Sequence, residues 1–329
     1  MGTLPRFSII IPVKEINDYV RETVPYIQTL DLENWELIIV PNGPDQNEWE
    51  SDKRISLFSS GRVGPADKRD QAAKIAKGEI LVFLDDDSYP KSDLLSIATT
   101  YFDDNSVSAI GGPAITPESD TYWQKVSGAV FLSKFTGGNP ERYIPVGMAR
   151  EVDDWPSVNF MVRKSDFIEV GGFDSPYWPG EDTHFCLKLM QKTKKIMYAP
   201  ELIVWHHRRS GLLRHMKQVG AYGLHRGYFA RHMPKTSMKI KYLLPSFFTL
   251  TVLVFPVAAF ANAQIKFGLF SVFATYALVL LLGAIDVSKK SQFHIAVGAM
   301  FYVLPTHLYY GIQFLRGYFK MGKLISALR

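Results

Sequence analysis

Residues 80–87 read I-L-V-F-L-D-D-D, an apolar run ending in three consecutive carboxylates, Asp85, Asp86 and Asp87. An unbroken apolar run of this length, after a helix-like stretch at 72–77 and Gly78, predicts a buried strand of a parallel sheet. Open α/β sheets bind ligands beyond the carboxyl ends of their strands. Three carboxylates crowded at such an end repel one another unless a cation joins them. A divalent metal holding a nucleotide diphosphate meets that need. The plainer alternative is a solvated acidic turn that caps the next helix, with Ser88-Tyr89-Pro90 as the turn.

The flanking sequence repeats the strand–helix alternation. Residues 7–13 (F-S-I-I-I-P-V) predict a first strand and residues 18–30 a helix. Residues 35–40 (W-E-L-I-I-V) predict a second strand, ending in the turn Pro41-Asn42-Gly43-Pro44. A weaker strand at 55–58, a helix at 67–77 and a strand at 107–112 follow. This spacing argues for a doubly wound α/β sheet with right-handed crossovers. The pattern loosens over 116–156, where Gly137-Gly138-Asn139-Pro140 and Pro145-Val146-Gly147 punctuate the chain. That stretch reads as an insert over the active site, or as a solvent loop. Order returns with a strand at 158–163, a helix at 164–170, the turn Gly171-Gly172-Phe173-Asp174 and a helix at 181–191. Strand-like 196–199 and 202–205 close on His206-His207. The single cysteine, Cys186, cannot form an internal disulfide, which fits a reducing compartment.

Charge divides the 329 residues sharply. Residues 1–205 carry 21 Lys/Arg and 31 Asp/Glu, whereas 206–329 carry 16 and 1, the one acid being Asp286. In the basic part, residues 242–262, 267–285 and 293–315 are apolar stretches of 21, 19 and 23 residues, close to the roughly 20 needed to cross a bilayer. Residues 208–241 hold nine Lys/Arg and no acid, just before the first stretch. The positive-inside tendency then places the N-terminal domain in the cytoplasm, with Lys289-Lys290 returning to that side. A neighbouring membrane span makes anionic lipid, rather than nucleic acid, the expected partner of the basic run. Residues 1–6 lack the apolar core of a cleavable signal. The expected location is the inner (plasma) membrane, multi-pass. The third stretch contains Pro305 and is followed by Arg316, Lys320, Lys323 and Arg329. A crossing fits its length but leaves this basic tail outside; a re-entrant hairpin at Pro305 keeps it inside at the cost of exposed backbone groups.

Several short features occur in order: Ser8-Ile9-Ile10-Ile11-Pro12-Val13-Lys14-Glu15, Lys68-Arg69-Asp70, Gly78-Glu79, Asp85-Asp86-Asp87, Gly171-Gly172-Phe173-Asp174, Gly180-Glu181-Asp182 and Val204-Trp205-His206. Together they resemble the family 2 inverting glycosyltransferases of the GT-A fold, over about residues 7–207. With the apolar tail, the chain looks like the membrane-associated members that build exopolysaccharide units on a lipid carrier, succinoglycan-type enzymes among them. The resemblance implies a Rossmann-like nucleotide-diphospho-sugar domain at 1–207, a basic amphipathic interfacial segment at 208–241 and an α-helical membrane region at 242–329.

It further implies that Asp85 and Asp87 are the D-x-D pair and that His206, or His207 in its place, completes the shell of an Mg²⁺ or Mn²⁺ ion. Asp182 matches the base that takes the acceptor proton, although either Asp182 or Glu181 also suits a helix N-terminus electrostatically. Pro12 and Glu15 match positions that frame the nucleotide. Asn42 follows Pro41, which stands where the family usually has an aspartate, so its amide is the candidate reader of the base. Arg69-Asp70 replaces the usual Arg-Asn. Lys68 and Arg69 are candidate phosphate partners, and Asp70 and Asp86 complete the donor-site set. Glu181, Trp155, Arg208, Arg209 and Arg214 form the candidate acceptor and lipid set. Gln218-Val219-Gly220-Ala221-Tyr222 lacks the Arg and Trp of the processive Gln-x-x-Arg-Trp element, so single-sugar transfer is expected. The expected acceptor is a polyprenyl-diphosphate-linked oligosaccharide. Polyprenyl phosphate, or a non-catalytic nucleotide-sugar-binding membrane subunit, are the alternatives.

Overall fold

The computed structural model describes residues 5–259 and 262–324. They form two compact units, one of residues 5–115 with 144–207, the other of residues 116–143 with 208–324.

In the first unit the elements run β1 (Phe7–Pro12), α1 (Asp18–Gln28), β2 (Trp35–Val40), β3 (Ile55–Leu57), α2 (Pro65–Ile75), β4 (Ile80–Leu84), β5 (Ser88–Pro90), α3 (Leu94–Phe102), β6 (Val107–Gly111) and β7 (Ala114–Ile115). After α4 (Tyr122–Ala129), which belongs to the second unit, come β8 (Arg150–Glu151), β9 (Asn159–Arg163), α5 (Lys164–Glu169), α6 (Glu181–Gln191), β10 (Lys195–Tyr198) and β11 (Val204–His206). The main sheet has the order β3-β2-β1-β4-β9-β6-β10-β8. It is not wholly parallel: β9 lies antiparallel between β4 and β6, pairing Leu84 with Asn159 and Gly111 with Phe160. A buried strand reads as one apolar run whichever way its neighbours point, so the sequence pattern does not distinguish the two.

Alternation on the strands explains the run at 80–84. Ile80, Val82 and Leu84 face α1 and α3 in one core, with Val20, Val24, Leu94 and Leu95. Leu81 and Phe83 face α2, α5 and α6 in the other, with Ala72, Phe167, Phe173 and Phe185. Burying each such side chain contributes about 1.5–3 kcal/mol, so both helical layers hold this strand in place. Trp155 belongs to the second core. It is 2 % exposed, donates Nε1–H to the Gly112 carbonyl and packs on Gly111, where a Cβ would overlap its ring. That burial removes Trp155 from the acceptor set.

The second unit is helical: α4, α7 (Leu212–His232), α8 (Pro234–Ser237), α9 (Ile240–Ala259), α10 (Ala263–Ser288) and α11 (Phe293–Tyr318). Residues 116–143, part of the stretch 116–156 read as an insert or a solvent loop, fold with these helices. Tyr122 stacks on His294 and Trp123 on Tyr302, both of α11. Helices α10 and α11, 26 residues each, are long and apolar enough to cross a membrane, while the apolar run in α9 is shorter, Ile240–Pro256. Residues 260–261 of the first expected span lie outside the described residues. Helix α11 runs unbroken through Pro305, so no hairpin forms there.

Helix α7 packs on α11 through glycines. A Cβ on Gly220 would overlap the Tyr309 ring, one on Gly223 would press on the Tyr310 carbonyl, and one on Gly227 would overlap the Phe314 carbonyl. Such overlap with backbone cannot be relieved by a rotamer change. Gly227→Val is therefore expected to cost about 1–3 kcal/mol, read as a lowered Tm of the helical unit in detergent.

Candidate active site

The site lies at the carboxyl edge of the first unit's sheet. Where β4 ends, Asp85, Asp86 and Asp87 turn the chain into β5. That short strand pairs antiparallel with β11, setting Ser88 opposite His206 and Tyr89 opposite Trp205. The register carries the His206 ring to Asp87, with Nε2 3.1 Å from Oδ1. Asp85, Asp87 and His206 each offer a ligand atom within 4.8 Å of the others. His207 points elsewhere, its Nε2 3.0 Å from Glu22 Oε2, so His206 is the histidine of the cluster. Ser88-Tyr89-Pro90, expected as a turn, is the strand that makes this pairing.

Two carboxylates and an imidazole in one small space suit a hard or borderline divalent cation. Asp87 is only 4 % exposed, and a second carboxylate stands beside it. A cation among these three residues would balance that charge, so the donor set fits the implied Mg²⁺ or Mn²⁺.

Arg69 ties this cluster to the start of α6. It is 2 % exposed and uses Nη2 on Asp85 Oδ1 at 2.6 Å and Nη1 on Glu181 Oε1 at 3.3 Å. Glu181 is likewise buried at 5 % exposure. Burial, reinforced by neighbouring Asp182 and opposed by Arg69, pushes its carboxyl above the usual carboxylate range. This arrangement corrects one expectation, since Glu181 faces inward rather than toward an acceptor, and it makes Arg69, expected as a phosphate partner, a buried bridge between Asp85 and Glu181. Arg69→Met would leave Glu181 buried without its ion-pair partner, with an expected cost of about 3–5 kcal/mol. Protonation relieves an unpaired buried carboxylate, so the Tm loss should shrink from pH 8 to pH 5. A pH-independent loss would show that the pair matters only as packing.

Asp182 follows Glu181 in the first turn of α6, where the helix dipole favours a carboxylate. Its Oδ1 accepts from the Thr183 N–H at 2.7 Å, and Thr183 Oγ1 donates to Asp154 at 3.2 Å. The residue is half-buried, unlike Glu181. Gly180, with φ +115°, lets the chain turn into the helix at this point.

Other expected donor-site residues divide into edge and scaffold positions. Pro12 closes β1, Glu15 is exposed beyond it, and the Asn42 N–H donates to the Lys14 carbonyl, joining the first two loops of the edge. Lys68 is buried and donates Nζ to the carbonyls of Val13 and Val40, fastening the ends of β1 and β2. Burial lowers its pKa to about 8, against the pull of Asp86. Asp70 accepts from the N–H groups of Phe173 (2.7 Å) and Asp174 (2.8 Å), holding the Gly-Gly-Phe-Asp turn. Lys68 and Asp70 thus brace the loops of the edge. Asp86 accepts from Asn17 Nδ2 at 2.7 Å.

Asn17 is a site-edge residue missed in the sequence. It also caps α1, its Oδ1 accepting from the Val20 N–H. The Asn-Asp pair before an apolar helix signals the cap; the link to Asp86, 69 residues away, has no local signal. In the second unit, Arg208 lies over the Tyr143 ring and donates to Thr116 Oγ1, while Arg209 and Arg214 are exposed.

Residues 8–171 match the model of glycosyl transferase family 2. A pre-mycofactocin glycosyltransferase of Mycobacterium tuberculosis is 26 % identical over 238 residues, covering 70 % of this chain and 49 % of its own. The chain thus spans about half the length of that relative. A Methanococcus voltae enzyme, dolichyl N-acetyl-α-D-glucosaminyl phosphate 3-β-D-2,3-diacetamido-2,3-dideoxy-β-D-glucuronosyltransferase, is 22 % identical over 255 residues, covering 72 % of this chain and 77 % of its own. Among solved structures, the mannosyltransferase PcManGT from Pyrobaculum calidifontis, in complex with GDP-Man and Mn²⁺, superposes with a TM-score of 0.61 at 17 % identity, over 92 % of this chain and 86 % of that one. The sheet, the acidic turn at its edge and the match over residues 8–171 agree: the chain belongs to glycosyl transferase family 2.

Proposed function

We propose that this chain is a metal-dependent inverting glycosyltransferase that moves one sugar from a nucleotide-diphosphate donor to a polyprenyl-diphosphate-linked oligosaccharide. The observation carrying this reading is the convergence of Asp85, Asp87 and His206, with Arg69 linking Asp85 to the helix turn that bears Asp182.

In the proposed reaction an acceptor hydroxyl attacks the anomeric carbon from the face opposite the leaving group. The new C–O bond forms as the bond to the diphosphate breaks, inverting the centre and releasing a nucleoside diphosphate. Asp182, in the first turn of a helix whose dipole favours a carboxylate, takes the hydroxyl proton. Asp85, Asp87 and His206 would hold the divalent cation, which would supply charge stabilisation for the departing diphosphate. Arg69 keeps Asp85 aligned and balances the buried Glu181, which stands beside Asp182. Glu15 and Asn42, on the loops after β1 and β2, are placed to frame the nucleotide.

The acceptor assignment draws on two supports. The run 208–241 carries nine Lys/Arg and no acid, suited to a lipid phosphate and to anionic lipid. The Methanococcus voltae relative is named for a dolichyl phosphate substrate. Membrane association through α9, α10 and α11 would keep the enzyme beside such an acceptor, with its catalytic unit in the cytoplasm. The relatives give no particular support to a succinoglycan-type role.

The test is nucleotide release by the detergent-solubilised full chain, with UDP-, GDP- and dTDP-sugars, Mn²⁺ or EDTA, and lipid extract. Lipid-stimulated, metal-dependent release from one donor is expected. Donor binding without turnover over the whole panel would instead favour a nucleotide-sugar-binding subunit.

A further inference from the structure

The direction of α11 relative to the bilayer follows from what lies beside it. Helix α7 runs parallel to its second half. His215 Nε2 meets Thr306 Oγ1 at 2.9 Å, Gly220 faces Tyr309, Gly227 faces Phe314, and Arg231 Nη1 donates to the Tyr318 carbonyl at 3.4 Å. Contacts advancing along both helices together mean that α11 cannot enter hydrocarbon over 306–318 without taking α7 with it. Yet α7 carries Arg214, Lys217, Arg226 and Arg231, of which all but Arg226 are exposed. A helix with that many outward charges is costly at membrane depth, and its last residues would be the deepest or would have to emerge on the far side.

The first half of α11 is flanked by α4 instead. Tyr122 and Trp123 stack on His294 and Tyr302, and His215 Nδ1 bonds Ser127 Oγ of α4 at 2.8 Å, joining the two flanking helices. What α11 leaves outward is largely apolar: Phe293, Val297, Phe301, Leu304, Ile312 and, just past the helix, Phe319, with His294, Tyr309 and Arg316 also exposed. Phe293 and Phe301 are about three-quarters exposed, at 75 % and 76 %. Steps of three, four, seven and eight residues place the apolar side chains on one face along the helix. Helix α10, in contrast, is apolar and exposed nearly all round, as a lipid-immersed helix is.

We propose that α11 does not cross the membrane but lies along its surface, its apolar stripe in the headgroup–acyl boundary. Trp123 and Tyr122 of α4 sit beside it as aromatic anchors, and α9–α10 is the inserted element. The charged residues are on α7, which covers the inner side of α11 over its second half, while the outward side of α11 is largely apolar. The pair together, charged on one side and apolar on the other, meets the physical requirements of an interfacial element, and rings of this kind concentrate at that level. The arrangement also keeps Arg316, Lys320 and Lys323 on the side where the chain entered, meeting the charge rule without a break at Pro305. The inference rests on membrane association alone and is independent of the proposed chemistry.

Spin labels on single cysteines replacing Phe293, Phe301, Ile312 and Phe319, in a Cys186→Ala background, report depth by oxygen and nickel-chelate accessibility in phosphatidylcholine–phosphatidylglycerol vesicles. Leu278→Cys on α10 is the reference for a deep position. All four positions are expected at one shallow depth, about 5–10 Å into the interface. A depth that rises toward mid-helix and falls again would overturn the proposal. In sealed inside-out vesicles, Lys323→Cys is expected to react with an impermeant maleimide from the same side as Glu50→Cys. Reaction from the opposite side would overturn it independently.

Discussion

Asp87→Ala is expected to abolish metal-dependent donor turnover, lowering kcat/KM by about 10³-fold or more, because charge stabilisation on a leaving diphosphate is the largest contribution at such a site. Asp87 is buried against His206 and holds one corner of the three-residue cluster. Removing it leaves one carboxylate, Asp85, already engaged by Arg69. Mn²⁺ binding, followed by the loss of the free-ion paramagnetic signal, should weaken in parallel. Asp86→Asn is the control, since Asp86 faces Asn17 and lies outside the cluster. Equal Mn²⁺ affinity in Asp87→Ala and the parent would remove Asp87 from the metal site.

Asp182→Asn is expected to lower kcat by about 10²–10⁴-fold, the usual contribution of a positioned base. Donor KM and Mn²⁺ affinity should stay close to the parent values, because Asp182 sits at the helix start and outside the Asp85–Asp87–His206 cluster. The isosteric amide can still accept from the Thr183 N–H, so the helix start should be preserved. Glu181→Gln separates the two neighbours: its loss should appear mainly in Tm, since Glu181 is buried against Arg69. Full activity of Asp182→Asn would mean that the acceptor atom is already ionised, as in a polyprenyl phosphate, and would move the acceptor assignment there.

Most strands and helices of the first unit were legible because each carries its own periodic signal. The apolar runs at β1, β2 and β4 have side chains buried on both sheet faces, and no long-range information is needed to read that. Asp85, Asp87 and His206 were readable as types in the right order. Three things were not. The β5–β11 pairing that selects His206 over His207 joins segments more than a hundred residues apart through a three-residue strand, too short for a periodic pattern. The bridging role of Arg69, read as a phosphate partner, was hidden because its partners, Asp85 and Glu181, are 16 and 112 residues away. Trp155 followed a loop-rich stretch that resembled an acceptor loop, whereas the space beside Gly111 draws its ring into the core.

The sequence by itself determined the alternation of elements, the acidic edge of the sheet and the division into an acidic α/β part and a basic apolar part. Those properties depend on residue type and spacing along the chain, which local sterics and hydrophobic burial translate directly into structure. Tertiary structure alone decided which charges meet, which histidine faces the acids and which apolar helix has a polar companion. An apolar 23-residue stretch fits a bilayer by length, but only packing shows that residues 116–143 and α7 cover one side of α11. Hydropathy reads a helix as a single line; burial is a property of its faces, and the neighbours that cover them are distant in the chain.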